Sequence, residues 1–319
     1  MEFMDADFDI FFDELKGNLF MKLDYEEQDG VEKQLKDNIE EFSRIIENLL
    51  QKGLKGVKLK FDDNRKFSVY SVLKNDGIHR GIIHCSRLFL IGNYQMFYGM
   101  DYSNIVIDGK NIDNIKMMLF HMSMMCIFWH ELAHIYKGHL QLYSQWKKEG
   151  SIEKHSLDIQ TLEWDADSFA ATKMAEWILG VNKEILETDQ TDFAMKIACG
   201  AIHGMMYWQR ANSDFDNVKG KEHPPIFYRE VAMLKCVGDL RNNFDDIIRY
   251  ITGYEKEFNR IRGVESQYIK KYFEQSRESA GYMSKIENNW EKIKNNLQKY
   301  SLFPLEEMEK KIIYNAKGE

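Results

Sequence analysis

The sequence is poor in the features that announce a zinc ribbon, a redox dithiol, a membrane span or a nucleic-acid binder. Its four cysteines, Cys85, Cys126, Cys199 and Cys236, lie far apart, and no two form a C-x-x-C pair. That spacing excludes a cysteine-based ribbon and a thioredoxin-like site, and leaves reduced, buried thiols. Only three prolines occur in 319 residues, so strong breakers are scarce and long helices are free to form. Positive charge is in deficit, with a formal net charge of −8. Phosphate neutralisation needs a basic surface, so no nucleic-acid partner is expected. The opening segment, MEFMDADFDIFFDEL, has neither the basic start nor the long apolar stretch of a secretory signal; a cytoplasmic location is the expectation. Residues 115–136 are the most apolar long stretch, yet they carry His121, His130, Glu131 and His134. Such groups are costly in lipid, so the stretch reads as a buried helix and no integral membrane segment is expected.

What is present is a globular composition, 44% hydrophobic and 29% charged, which separates the chain from disordered and fibrous classes. From Gly30 to Leu50, Val31, Leu35, Ile39, Phe42, Ile46 and Leu49 recur at three- and four-residue intervals, the pattern of one amphipathic helix. Between Val57 and Ile91, the segments VKLKF, FSVYSVL and GIIHCSRLFLI are short, β-branched or aromatic, and separated by turn residues. They predict antiparallel strands, with SNIVIDG at 103–109 as a further candidate. After Asn114 the pattern turns helical. Helices are predicted over Lys116–Lys137, ended by Gly138, over Asp158–Leu179 before Gly180, over Thr191–Arg210, and again beyond Pro225. Residues 239–311 read as a helical region with solvated, charged faces, and no internal repeat is present.

The chemistry is carried by His130-Glu131-Leu132-Ala133-His134, an H-E-x-x-H on a predicted helix. Four-residue spacing puts both imidazoles on one face, about one turn apart, where both can reach a single ion. Neutral imidazole suits zinc, and Glu131 beside the first ligand can take a proton from activated water. A core helix with incidentally spaced histidines is the bland alternative, since the preceding FHMSMMCIFW is apolar. Leu162-Glu163-Trp164-Asp165-Ala166-Asp167 follows on the next predicted helix. Glu163 completes a two-His, one-Glu set of the kind that leaves a coordination position open for water. Asp167, one turn on, projects the same way and can accept from the other nitrogen of a zinc histidine. Asp165 is a competing carboxylate that lies off that face. A solvated acidic helix face is the usual alternative for such a pair. His223-Pro224-Pro225 then holds an imidazole in a stiff loop, where it can donate to a developing oxyanion or be a surface residue at a helix entry.

These three elements, HELAH, EWDAD and HPP followed by Arg229, resemble the signature of the CAAX-prenyl endopeptidase and heat-shock membrane peptidase family of gluzincins, over residues 120–235. The resemblance implies one zinc ion held by His130, His134 and Glu163, with Glu131 as general base and Asp167 as the carboxylate behind a ligand. It further implies His223 as the transition-state donor, and Arg229 as a structural or substrate-orienting partner. His139 matches a histidine often seen in that pattern; following a helix-ending glycine, it has a capping or packing role as readily as a site role. The membrane helices of the best-known members are missing. In size, expected solubility and the H-E-x-x-H, the chain is also similar to phage-exclusion peptidases of the Lit type, which cleave a host translation factor.

The expected fold is therefore α+β and mostly α. Residues 1–55 form an N-terminal helical segment, 56–240 a zincin-like metallopeptidase core with a small antiparallel sheet before the H-E-x-x-H helix, and 241–319 a helical extension. The expected activity is zinc-dependent cleavage of a protein or peptide. A zinc-stabilised interaction module and a zinc hydrolase of a non-peptide amide are the alternatives. The remaining histidines 79, 84, 121, 155 and 203 read as core or surface groups, and methionines 117, 118, 122, 124 and 125 as packing.

Overall fold

The computed structural model describes residues 56–62, 68–74, 79–102, 105, 112–184, 190–210, 224, 226–238, 244–262 and 268–301. The helix predicted over residues 30–50, His223 and, apart from Ile105, the candidate strand at 103–109 lie outside the described residues. The chain divides into two compact units, Met1–Gln95 and Met96–Glu319.

The first unit contains β1 (Gly56–Asp62), β2 (Val69–Leu73) and β3 (His79–Ser86), in the order β1-β3-β2. Alternate side chains of β3 face inward, so Ile83 and Cys85 are buried while Ile82 and His84 are partly exposed. β2 runs antiparallel to β3, as expected, from Val69 opposite Cys85 to Leu73 opposite Gly81. β1 departs from the expectation: it lies parallel to β3, from Val57 opposite Gly81 to Asp62 opposite Ser86. The chain thus visits one flank of the central strand, then the other, before forming the centre itself, and the two flanks end up opposed in direction.

The strand predicted through residue 91 ends earlier. Ser86 is the stop, because its hydroxyl accepts from the amide of Phe89 at 3.2 Å and caps the helix α1 (Arg87–Tyr98). The same hydroxyl accepts from Ser68 N at 3.2 Å, so RLFLI is helical despite its β-prone residues.

The second unit is helical: α2 (Ile112–Tyr136), α3 (His139–Lys148), α4 (Ser156–Glu184), α5 (Gln190–Arg210), α6 (Ile226–Gly238), α7 (Phe244–Arg262) and α8 (Tyr268–Leu297). α4 runs past Gly180, which lies inside it; one interior glycine costs a helix only about 1 kcal/mol. α2 is apolar all round and accordingly buried all round, from Leu119 and Phe120 through Met124, Met125 and Cys126 to Phe128. It packs on α4 and α5, and α4 packs in turn on α6 and α8. Close approach is built in by small residues. Ala133 of α2 and Ala166 of α4 are buried in one cluster with Phe169, and a Cβ on Gly200 of α5 would strike the Tyr254 ring of α7 and come within 2.7 Å of Leu119. On the other side of α4, Leu142, Trp146, Ile159, Leu162, Trp290, Ile293 and Leu297 form a core that ties α3 and α8 to it. Each such apolar side chain contributes about 1.5–3 kcal/mol when fully buried.

Candidate metal centre

Two helices set the centre. α2 presents His130, Glu131 and His134, and α4 presents Glu163, Asp165 and Asp167. The alanine contact between Ala133 and Ala166 lets the two backbones come close enough for the side chains above it to meet. His130 Nε2 and His134 Nε2 are 3.0 Å apart. Glu163 reaches both, with Oε2 3.4 Å from His130 Nε2 and Oε1 3.4 Å from His134 Nε2. The donor atoms of His130, His134 and Glu163 all lie within 4.8 Å of one another, a group that can hold a metal ion.

The residues around the donors supply negative charge. His130 Nδ1 lies 2.9 Å from Asp167 Oδ1. Asp167 is clamped by Arg229 of α6, whose Nε donates to Oδ2 at 2.6 Å and Nη2 to Oδ1 at 2.9 Å. Arg229 Nη2 also lies 3.8 Å from Glu163 Oε2. The guanidinium holds the Asp167 carboxyl well below its usual range against the opposing effect of burial. Burial alone would lower the pKa of His130, yet the charge and hydrogen bonding of Asp167, reinforced by Glu163, carry it up to about 10. The spot between the donors therefore favours positive charge, and two imidazole nitrogens 3.0 Å apart need a proton or a cation between them. That is the requirement a metal ion meets, and the donor set of two nitrogens and a carboxylate fits one.

Exposure is graded across the centre. His130, Glu131, His134 and Glu163 each keep 7–9% of their surface, whereas Asp167 keeps 0% and His139 1%. The donors and the base keep a little surface; the groups behind them keep almost none.

The structure also brings in residues that the motif reading set aside. Gly138 ends α2 with φ of 84° and turns the chain so that His139 starts α3. His139 points back, its Nδ1 3.1 Å from His134 Nδ1 and its Nε2 3.0 Å from Asp165 Oδ2. Lys137 donates to both oxygens of Asp165 at 2.8 Å, and its ammonium sits over the Phe169 and Trp290 rings. Opposing burial, the Lys137 charge and the His139 contact bring the Asp165 pKa down to about 2. Burial holds His139 below its usual value, against the pull of Asp165. Asp165 does lie off the face shared by Glu163 and Asp167, as expected, but it uses that position to reach His139. The spacing HELAHIYKGH was the available signal, and the positive φ at Gly138 hid where its last histidine would point.

Among the other predicted site residues, Glu131 is buried at the centre, close enough for its charge to act on Arg229. Arg229 is 4% exposed and held by Asp167. Pro224, next to His223, is buried. None of Cys85, Cys126, Cys199 and Cys236 is in a disulfide; the first three are buried and Cys236 is partly exposed.

No curated protein and no solved structure matches the chain. A family model described as Peptidase U49 matches residues 105–245. That span contains His130, Glu131, His134, Glu163, Asp167 and Arg229, so the similarity to this peptidase family covers every described residue of the centre.

Proposed function

We propose that the chain is a zinc-dependent endopeptidase of the gluzincin type that cleaves an intracellular protein or peptide. The single observation behind this reading is the meeting of His130, His134 and Glu163 within 4.8 Å of one another, with Glu131 buried beside them. Bound there, zinc would supply a Lewis acid for a carbonyl and lower the pKa of water toward about 7.

The chain's own residues do the rest. His130, His134 and Glu163 hold the ion, and the Asp167–Arg229 pair holds His130 in its ring orientation. Glu131 takes the proton of the attacking water and returns it to the leaving amine. His223 donates to the substrate carbonyl oxygen as negative charge develops on it. Arg229, buried against Asp167, acts as a structural partner and not as a substrate contact. The order HELAH, EWDAD and HPP favours kinship with the CAAX-prenyl and heat-shock membrane peptidases; the size and H-E-x-x-H favour a Lit-like substrate among protein factors. No helix among the described residues is long and apolar enough to cross a membrane.

The deciding comparison is wild type against Glu131→Gln, loaded with zinc and given a broad peptide library. Both should bind one zinc per chain, and only wild type should release new termini. Equal cleavage by both removes Glu131 as base. Zinc binding without cleavage by either, with four protein donors and no zinc-bound water in a crystal, favours the interaction module instead.

A further inference from the structure

We propose that His139 and Asp165 are positioning residues for His134, fixing which of its two nitrogens carries the proton and thereby presenting Nε2 to the metal; the inference rests on the metallopeptidase reading above. An imidazole ligating through Nε2 must carry its hydrogen on Nδ1, and something must favour that tautomer. For His130 the partner is a carboxylate, Asp167, 2.9 Å from Nδ1. At His134 the group facing Nδ1 is another imidazole nitrogen, His139 Nδ1, at 3.1 Å. Two facing nitrogens form a hydrogen bond only if one has a hydrogen and the other a lone pair.

Asp165 decides which. Its carboxylate, bridged through both oxygens by the Lys137 ammonium at 2.8 Å, is an acceptor. His139 Nε2, 3.0 Å from Oδ2, must therefore donate, and neutral His139 is left with a lone pair on Nδ1. His134 Nδ1 then has to donate to it, and the His134 lone pair falls on Nε2. That nitrogen lies 3.0 Å from His130 Nε2 and 3.4 Å from Glu163, which is where the metal donors meet. The relay runs Lys137 to Asp165 to His139 to His134. It does for the second ligand what Arg229 and Asp167 do for the first, through one additional ring. His139 is 1% exposed and Asp165 5%, so water does not compete for these positions.

The test uses the full chain and zinc alone, with affinity read by competition against a chromogenic chelator. His139→Leu removes the acceptor and should weaken zinc binding by about 10–100-fold, the usual effect of losing such a partner. His139→Asn keeps an acceptor oxygen near Nδ1 and should recover most of that loss. In the zinc-loaded wild type, imidazole nitrogen NMR should show His134 protonated on Nδ1 and ligating through Nε2. Zinc affinity in His139→Leu within about twofold of wild type would overturn the relay. Should that variant not fold, the inference is overturned by His134 found to ligate through Nδ1 in the wild type, or by a folded His139→Asn that binds as poorly as a variant without an acceptor. A wild type that binds no zinc sinks the metallopeptidase reading itself, a result distinct from all of these.

Discussion

Two buried histidine clusters sit in the same helical unit, and they are wired in opposite ways. At the candidate metal centre, one nitrogen of His130 faces a carboxylate and the other faces the shared donor space. At His203 of α5, both nitrogens are engaged by carboxylates: Nδ1 lies 2.5 Å from Glu230 Oε1 of α6 and Nε2 2.9 Å from Glu255 Oε2 of α7. All three residues are essentially sealed. α6 serves both clusters through neighbouring residues, Arg229 for one and Glu230 for the other. The difference teaches that burial of a histidine among acids does not make a ligand. What matters is a nitrogen left facing other donors, and His203 has none; it is a charged staple across three helices.

Deleting one histidine from each cluster separates the two wirings. His130→Ala should abolish zinc binding and peptide hydrolysis, and it should also lower metal-free stability in denaturant unfolding, since Asp167 and Glu163 lose the imidazole they hold. His203→Leu should lower stability and leave zinc binding in place. Stranding two buried carboxylates costs about 3–5 kcal/mol, yet whatever remains folded should still bind one zinc per chain. A His203→Leu protein that is stable but cannot bind zinc would merge the two roles.

A smaller effect separates helix packing from either cluster. Gly200→Ala puts a methyl group into the Tyr254 ring and Leu119, and overpacking of this sort costs about 1–3 kcal/mol. Zinc affinity measured in the folded fraction should not change.

The smallest effect is a slope. Burial lowers the His203 pKa, but the charges and hydrogen bonds of Glu230 and Glu255 raise it above its ordinary value. The folded state therefore holds this proton more tightly than the unfolded chain. Its stabilisation is fully present below about pH 6.5, the unfolded value, and is lost as pH rises through the higher folded value. The unfolding free energy of metal-free wild type, from denaturant titrations, should fall across that window by at most about 1.4 kcal/mol per pH unit for this one proton, and His203→Leu should lack that component.

Much of the centre was legible because its signals are local. The i, i+4 spacing of His130 and His134 fixes their common face whatever surrounds them, and Glu163 and Asp167 show the same spacing on the next helix. Arg229 could be marked by its place after HPP, but its partner could not be read, because that contact depends on how α6 crosses α4. His139 and Asp165 were missed as a pair for a backbone reason: one residue of positive φ reverses a direction that helix periodicity had extrapolated. Helices α2 and α4 to α8 were likewise visible in periodicity, whereas α3, behind the Gly138 turn, was not. The direction of β1 was not, since strand pattern records which side chains face inward and not which neighbour the strand will choose. RLFLI was misread because Ser86 caps a helix that β-propensity alone argues against.

Gly138 carries one more consequence. A Cβ there would come within 2.6 Å of the Cβ of Tyr300, just past α8; the Tyr300 hydroxyl donates to Gln145 of α3 at 2.7 Å, and Ser301 Oγ donates to the Tyr136 carbonyl at 3.4 Å. The bend that aims His139 is thus roofed by chain that is synthesised well after it. The H-E-x-x-H helix would leave the ribosome long before that cover exists, and a polypeptide cut before residue 300 would keep His130, His134 and Glu163 and lack the cover over the bend behind them.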